Sequence, residues 1–324
     1  HPILFRRIED ARAANPGMKV VVCDPRRTDT AGIADLYLPL LPGTDVSLFN
    51  GMLHIMLWEG WTDSRYIAAH TNGFDVLKAT VRDYTPDVVA QRQQVLQLIA
   101  PQIGERILDI GCGPGLTSQA LGEAVGASGR VLAVDISEPM LGLARQRCQA
   151  LPQVQLANLD VTHLPQADGA FDMALATQVY EYVPDIAQAL QELARVLRPG
   201  GRALLVDTDW ESAVWASRDD ARMRRVLDTW NQHIPWPQLP RSLMQALRQA
   251  GFKDVQVQVM PLLNTHFDAN TYSAGMLDVI GSFVTGRGGL SPEEVAAWQA
   301  DVRSMDAQTG YFFSLNRYVF VATL

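Results

Sequence analysis

Three glycines at alternate positions follow an apolar segment that ends in an acidic residue. The glycines are Gly111, Gly113 and Gly115, and the acidic residue is Asp109. Glycine is needed where the backbone must approach a ligand closely or adopt a positive φ. When such a loop joins a parallel strand to a helix, it forms a nucleotide site at the carboxyl edge of a doubly wound sheet. The sequence therefore predicts a nucleotide-containing cofactor at this loop.

A second acidic residue narrows the choice of cofactor. Asp135 ends the next predicted strand, 20 residues after Gly115, where a carboxylate can accept hydrogen bonds from both hydroxyls of a ribose. That contact suits NAD and S-adenosylmethionine (SAM) equally well. The spacing G-x-G-x-G differs, however, from the G-x-G-x-x-G of dinucleotide sites, and Pro114 removes one amide donor from the loop. A loop that is poor in donors favours SAM, which has no phosphate.

The composition of the chain excludes several classes of function. The 324 residues carry 27 Lys and Arg against 35 Asp and Glu, whereas a general nucleic-acid binder needs a basic face. The three cysteines form no C-x-x-C pair, so no zinc or Fe–S site is predicted, and their sparse, odd number is typical of the reducing cytoplasm. No apolar run reaches the ~18 residues of a membrane span. We expect a cytoplasmic protein that acts on a small molecule, without a metal.

The chain has room for roughly two domains at ~150 residues each. The predicted boundary is Tyr84-Thr85-Pro86-Asp87, because Pro86 disfavours helix for the residue before it; the expected domains are 1–86 and 87–324. The start, without an initiator Met or a signal-peptide pattern, indicates a chain that begins inside a longer parent. In the second domain strands and helices alternate at βαβ spacing, and the predicted strands are 106–110, 131–135, 154–157, 171–176, 202–208, 254–260 and 311–323.

Five motifs of the second domain carry a family resemblance. They are I-L-D-I-G-C-G-P-G at 107–115, V-D-I-S at 134–137, D-V before L-P at 160–165, F-D at 171–172 and R-V-L-R-P-G-G at 195–201. Residues 87–324 resemble class I SAM-dependent methyltransferases, most closely the small-molecule branch that includes quinone-biosynthesis enzymes. The resemblance implies an α/β fold with a Rossmann-like doubly wound sheet of seven strands, the last one antiparallel. It also implies SAM as the cofactor.

The expected cofactor contacts share the carboxyl edge of this sheet. The three glycines pass beneath the methionine part of SAM, Asp109 orients its ammonium group directly or through water, and Asp135 holds the ribose. Asp160 and the amide of Val161 would contact the adenine. The complete set is Asp109, Gly111, Gly113, Gly115, Asp135, Ile136, Asp160, Val161 and Gln178, the last beside the methionine tail or the sulfonium.

Methyl transfer itself asks little of side chains. A sulfonium methyl is already electrophilic, and its alignment with the acceptor can supply roughly 7–11 kcal/mol. An oxygen or nitrogen acceptor can also need a base; the candidate catalytic residues are Tyr180, Tyr182 and His233, although relatives often carry His where Tyr182 stands. Insertions at about 209–245 and 261–310 have a helical pattern and hold most of the Trp residues. They predict an aromatic lid over a hydrophobic or aromatic acceptor.

The first 86 residues resemble a different family. The stretches V-V-V-C-D-P-R-R-T at 20–28, I-A-D-L at 33–36, P-G-T-D at 42–45 and F-N-G-M-L-H at 49–54 are similar to molybdopterin oxidoreductases of the nitrate reductase and formate dehydrogenase type. The resemblance implies that Asp24 and Arg27 help hold one guanine-dinucleotide arm of that cofactor. The Fe–S cysteines and the metal-ligand segment of the family are missing, so we expect a packed remnant without catalysis. A molybdopterin-dependent oxidoreductase fragment and a non-catalytic SAM-binding module are the alternative functions.

Overall fold

The computed structural model describes residues 2–40, 45–58, 61–74, 86–268, 271–305 and 310–324. Its N-terminal part contains two short parallel strands, β1 (Val21–Cys23) and β2 (Leu36–Leu38). Asp35 joins them, because its carboxyl accepts the amide of Val20 at 2.9 Å. The helices of this part are α1 (Pro2–Ala14), α2 (Asp45–Trp58) and α3 (Ser64–His70).

The predicted domain boundary is described only in part. Tyr84 and Thr85 lie outside the described residues, whereas helix α4 (Pro86–Ile99) begins at the predicted proline. Proline suits this position because its missing N–H would be unpaired in the first turn of any helix. The division into two domains remains a prediction.

Seven strands form one sheet in the second part of the chain. They are β3 (Arg106–Ile110), β4 (Arg130–Asp135), β5 (Val154–Asn158), β6 (Phe171–Thr177), β7 (Leu197–Trp215), β8 (Lys253–Asn264) and β9 (Phe313–Thr323). Their order is β5-β4-β3-β6-β7-β9-β8. The pairs from β5 to β7 are parallel, and β9 is antiparallel to both of its neighbours. The predicted sheet with an antiparallel last strand is confirmed, and its strand order reverses between β3 and β6, where ligands bind in such sheets.

Helices cover both faces of this sheet. Side chains cap the first turns of several of them. Asp185, for example, accepts the amide of Gln188 at 3.0 Å, and Ser291 forms a reciprocal capping box with Glu294. The helices are α5 (Leu116–Val125), α6 (Glu138–Arg147), α7 (Ile186–Val196), α8 (Asp220–Trp230), α9 (Pro240–Gln249), α10 (Tyr272–Val284) and α11 (Pro292–Arg303). No helix of the described ranges is long and apolar enough to cross a membrane.

The two faces of the sheet carry separate apolar cores. Neighbouring residues of β3 point to opposite faces, and both Ile107 and Leu108 are fully buried. Leu108 packs in the core that includes Leu190 of α7, whereas Ile107 packs in the core that includes Leu96 of α4. Burial on both faces is typical of parallel strands between helices. It also holds the carboxyl end of β3, where the glycine loop begins, in a fixed position.

Two strands run further than the sequence pattern predicts. The predicted ends were 208 and 260, but β7 continues to Trp215 and β8 to Asn264. Both extensions pair with the start of β9, where Phe313 lies opposite Trp215 on one side and Asn264 on the other. The predicted insertions at 209 and 261 therefore begin as sheet, and their helices follow only after these strands end.

Candidate functional site

The glycine loop between β3 and α5 combines two different reasons for glycine. Gly111, Gly113 and Gly115 have φ values of +63°, +53° and +78°. A Cβ at Gly111 would lie 2.3 Å from Cγ2 of Val179, and one at Gly115 would lie 2.8 Å from Cβ of Ala144. A Cβ at Gly113 would meet nothing within 4 Å. Packing thus requires glycine at the two outer positions, and the middle one faces open space.

The backbone amides of the glycine loop donate hydrogen bonds to other groups of the protein. The N–H of Cys112 donates to the carbonyl of Val134 at 3.0 Å, and that of Gly115 donates to the carbonyl of Cys112 at 3.0 Å. The N–H of Gly113 donates to Oδ2 of Asp135 at 2.8 Å, and Pro114 has none. No amide from 112 to 115 remains for a pyrophosphate, which agrees with the prediction drawn from the glycine spacing.

Two amides fix the Asp135 carboxyl at the end of β4. Oδ2 accepts from Gly113, and Oδ1 accepts from the N–H of Ser137 at 2.8 Å. The residue is half-buried, and each carboxylate oxygen keeps capacity for a further donor. Ile136 follows with 76 % of its side chain exposed, offering an apolar surface beside the carboxylate. A fixed acceptor next to an apolar surface suits a ribose joined to a flat base.

Asp109 lies beneath the loop and not on its open side. It is only 3 % exposed, and Oγ of Ser118 donates to its Oδ2 at 2.5 Å. Burial raises the pKa of Asp109 to about 7, against the opposing effect of the Ser118 hydrogen bond. A positive group near this carboxyl would favour its charged form. The ammonium contact predicted for Asp109, direct or through water, stays a prediction.

Asp160 and Val161 follow β5, at the same edge as Asp135. Asp160 is exposed, and its Oδ1 accepts from both the amide and the hydroxyl of Thr162 at 2.8 Å. These hydrogen bonds lower the pKa of Asp160, so the group is an ionised acceptor at neutral pH. Val161 is 8 % exposed. The geometry is compatible with the predicted adenine contacts, which remain predictions.

Gln178 joins the ends of β6 and β7. Its backbone lies in the left-handed region at φ +55°, and its N–H donates to the carbonyl of Val206 at 2.6 Å. The side-chain Nε2 donates to Oγ1 of Thr208 at 3.0 Å. The next residue, Val179, is the one that contacts Gly111. The loop after β6 thus packs against the glycine loop.

The three predicted catalytic side chains fall in different environments. Tyr180 is fully buried and packs in the same core as Leu190, where burial raises the pKa of its hydroxyl far above the ordinary value. In this arrangement an acceptor cannot reach Tyr180, because the short 3₁₀ turn at Tyr180–Tyr182 points it inward. Tyr182 is 48 % exposed, and its ring centre lies 6.1 Å from that of His233. The structure brings Tyr182 and His233 together and separates Tyr180 from them.

A backbone carbonyl holds His233 in one tautomer, and aromatic rings surround the imidazole. Its Nδ1 lies 2.6 Å from the carbonyl oxygen of Trp230; a carbonyl only accepts, so Nδ1 carries the proton. Its ring stacks on Trp230 at 3.8 Å and meets the Trp210 ring edge-on at 5.1 Å. Nε2 is buried without a hydrogen-bond partner among the described residues, and burial lowers the pKa of the ring. A neutral imidazole with a free lone pair has the form of a general base.

Two buried carboxyl groups were not among the predicted site residues. Glu181 lies between the two candidate tyrosines and Asp207 lies on β7, and both are fully buried. The N–H of Glu181 is 3.4 Å from Oδ1 of Asp207, and the N–H of Thr208 donates to Oε2 of Glu181 at 3.0 Å. Burial raises the pKa of Glu181 to about 7 and that of Asp207 well above its ordinary value. The sequence signal for this pair was the presence of acidic residues near the ends of two adjacent parallel strands.

No metal-binding cluster occurs in the described ranges. They contain no group of three or more His, Cys, Asp or Glu side chains that could hold a metal ion. His266, which follows β8, has a side chain that is 61 % exposed, and its Nε2 lies 3.9 Å from Oδ2 of Asp268.

Comparison with known sequences finds a similarity to methyltransferases in the second part of the chain. Residues 108–205 match the family described as "Methyltransferase domain". The demethylmenaquinone methyltransferase of Staphylococcus epidermidis is 38 % identical over 117 residues, which cover 36 % of this chain and 48 % of that protein. The F420-dependent formate dehydrogenase 1 subunit alpha of Methanococcus maripaludis is 40 % identical over 103 residues, covering 32 % of this chain and 14 % of that protein. The chain spans about half or less of the curated relatives it matches.

A solved structure supports the fold. A Bacillus halodurans protein assigned as a methyltransferase superposes with a TM-score of 0.52 at 19 % identity, covering 72 % of this chain and 98 % of that protein. At this identity the likeness shows the fold alone. Together with the strand order and the family match, it confirms the α/β prediction. Residues 108–205 are therefore similar to a methyltransferase domain, and the chain shares its fold with the Bacillus halodurans protein.

Proposed function

We propose that this protein transfers a methyl group from SAM to a small, apolar or aromatic acceptor. The observation that carries the proposal is the geometry of the glycine loop. The amides of this loop donate hydrogen bonds to other groups of the protein, and Gly113 faces open space beside Asp135. A ligand that needs a close backbone and a ribose acceptor, but no phosphate donors, fits this loop. SAM is such a ligand, and it supplies an electrophilic methyl group when bound.

The cofactor would lie along the carboxyl edge from β5 to β6. In this arrangement Asp135 accepts from the ribose hydroxyls, and Ile136 covers one side of the adenine while Asp160 and Val161 contact its edge. Asp109 attracts the ammonium group from beneath the loop. Charge-assisted hydrogen bonds of this kind contribute roughly 1.5–3 kcal/mol each. Gln178 stands beside the methionine part, where it separates cofactor from acceptor.

The acceptor would lie on the other side of Gln178, near Tyr182 and His233. The surrounding indole and phenyl rings favour an apolar or aromatic molecule, such as the one named in the demethylmenaquinone methyltransferases. If the acceptor atom carries a proton, Nε2 of His233 is the candidate base; this atom is buried, so acceptor binding must open a path to it. The acceptor loses that proton as it takes the methyl group, and the proton passes to the imidazole.

We propose a non-catalytic role for the first 86 residues. Their similarity to a formate dehydrogenase subunit concerns a small share, 14 %, of that protein. One carboxyl oxygen of Asp24 accepts the amide of Arg26 at 2.8 Å in an ordinary turn. The oxidoreductase alternative is not favoured.

The proposal is tested by calorimetric titration of the full chain with S-adenosylhomocysteine (SAH), with NADH in parallel. Micromolar binding of SAH alone supports a SAM enzyme and justifies a screen of acceptors. Binding of NADH alone would contradict the proposal, because it would mean that the loop accepts a pyrophosphate.

A further inference from the structure

The loop after β6 and the end of β7 hold each other through two acidic residues. Asp207 on β7 accepts from the amide of Glu181 and faces the amides of Val179 and Tyr180. Glu181 in turn accepts the amide of Thr208 at 3.0 Å. Each strand end thus supplies a carboxyl group to the backbone of the other. We call these two residues the carboxyl clasp.

The clasp keeps two oxygens that accept no well-formed hydrogen bond. Oε1 of Glu181 and Oδ2 of Asp207 are buried without a partner of good hydrogen-bond geometry among the described residues, although the indole N–H of Trp210 approaches Glu181. Nε of Arg317, a residue that is only 6 % exposed, is likewise buried without such a partner. Two carboxylates that interact in a dry environment repel each other strongly if both are charged. One of them therefore keeps a proton, and Arg317 is the positive group that faces the remaining charge.

We propose that Glu181 and Asp207 are positioning residues for the methyl-transfer site, which hold the loop after β6 in place while the pair keeps a proton. This inference rests on the proposed function. The loop carries Gln178 on the cofactor side and Tyr182 on the acceptor side, so one clasp sets both positions. Gln178 also depends on Thr208 through its side chain, the residue whose amide Glu181 accepts.

Other charged and titratable groups surround the clasp from every packed element. Arg317 lies on β9, with its guanidinium 4.8 Å from the Tyr272 ring of α10 and bonded to Gln91 of α4. Asp209 on β7 is neutralised by Arg241 of α9 at 2.9 and 3.0 Å. The remaining groups are Tyr180 and Tyr182 on the loop itself and His233 beside Tyr182. Arg317 is thus the cation that faces Glu181, and removal of the shared proton leaves the pair with an excess negative charge.

The sign of the pH effect follows from burial. The pKa of Glu181 is raised from 4.5 to about 7, so between these values the folded chain holds a proton that the unfolded chain has released. The free energy of unfolding therefore falls as pH rises through this window. Above about 7 the pair has lost a proton in a dry site, and we expect the loop that carries Gln178 to be held less firmly.

The experiment compares Glu181→Gln with the unaltered full chain by SAH titration and urea unfolding at pH 6.0 and 8.5. Glutamine imitates the protonated acid, since its amide oxygen still accepts from Thr208. We expect both proteins to bind SAH similarly at pH 6.0. At pH 8.5 the variant should bind more tightly by about three- to thirtyfold, the upper limit being tenfold for each pH unit above 7. Asp109 is present in both proteins, so its titration cancels in the comparison.

The controls separate positioning from general damage. Glu181→Ala, which cannot accept from Thr208, should bind SAH more weakly at both pH values, and Asp207→Asn should behave like Glu181→Gln. Asp168→Asn, on a side chain that is 82 % exposed, should follow the unaltered chain. If Glu181→Gln and Asp207→Asn track the unaltered chain at pH 8.5 in both binding and unfolding, the clasp is overturned. If neither the unaltered chain nor any variant binds SAH, the proposed function fails. If the free energy of unfolding changes equally between pH 6.0 and pH 8.5 in Glu181→Gln and in the unaltered chain, the pair does not hold the proposed proton.

Discussion

The N–H of Gly113 donates to Oδ2 of Asp135 at 2.8 Å, so the turn after β3 and the end of β4 form one unit. The same glycine presents its open side to the space where a cofactor would lie. The carboxyl that would hold the ribose is thus oriented by the loop that would hold the methionine part. A change at either residue should affect both ends of the cofactor.

Replacement of Asp135 by alanine should weaken SAH binding by roughly ten- to hundredfold, because one to two charge-assisted hydrogen bonds are lost. Calorimetric titration measures the change. Glu138→Gln, at a nearby side chain that is 62 % exposed, serves as the matched control and should retain affinity. Unchanged affinity in Asp135→Ala would remove the ribose assignment.

Alanine at Gly113 and at Gly111 should have different consequences. At Gly113 the added methyl group meets no protein atom, so we expect about 1–3 kcal/mol of backbone strain together with loss of SAH binding. At Gly111 the methyl group would collide with Val179 at 2.3 Å, so this variant should lose more stability. Urea unfolding and SAH titration of both variants distinguish the two effects. A Gly113→Ala protein that binds SAH normally would show that its open side does not face the cofactor.

His233 should titrate below its ordinary pKa of 6.5, since burial disfavours its charged form. Its contribution to stability is then fully present above pH 6.5 and is lost as the pH falls below it. Nitrogen NMR of the imidazole ring measures both the pKa and the tautomer, which we expect to carry hydrogen on Nδ1. A ring that carries hydrogen on Nε2 would contradict its assignment as the base.

Removal of residues 1–84 should leave SAH affinity within about twofold of the full chain, because none of the proposed cofactor contacts lies in that part. The truncated protein retains Gln91, which bonds to Arg317 from α4. Titration of both proteins with SAH checks this expectation. Collapse of the shorter protein, seen by circular dichroism, would show that the first part is needed for folding.

The sequence predicted the strand, the glycine loop and the helix better than the surroundings of the candidate catalytic residues. A strand, a glycine loop and a helix are local features, so Asp109, the three glycines and Asp135 could be placed from their spacing. The inward turn of Tyr180 could not be predicted, because a single 3₁₀ turn decides which of three neighbouring side chains enters the core. The burial of Glu181 depends on Asp207 and Thr208, which lie 26 and 27 residues away.

The ends of β7 and β8 were missed for a similar reason. The segment D-T-D-W-E-S at 207–212 is polar and is typical of a loop. It remains in the sheet because β9 pairs with it from more than 100 residues further along, with an irregularity between Asp209 and Val214. Pairing between distant strands overrides the local pattern, since a strand's preference depends largely on its neighbours.

The internal use of the loop amides has a consequence for the solution in which this protein is studied. Many nucleotide-binding loops attract inorganic phosphate or sulfate, because their free N–H groups form an anion site. Here the N–H groups of Cys112, Gly113 and Gly115 already donate to other groups of the chain. Phosphate buffer should therefore compete little with the cofactor at this loop, and added salt should weaken the affinity for the cofactor by screening its proposed charge contacts with Asp109 and Asp135.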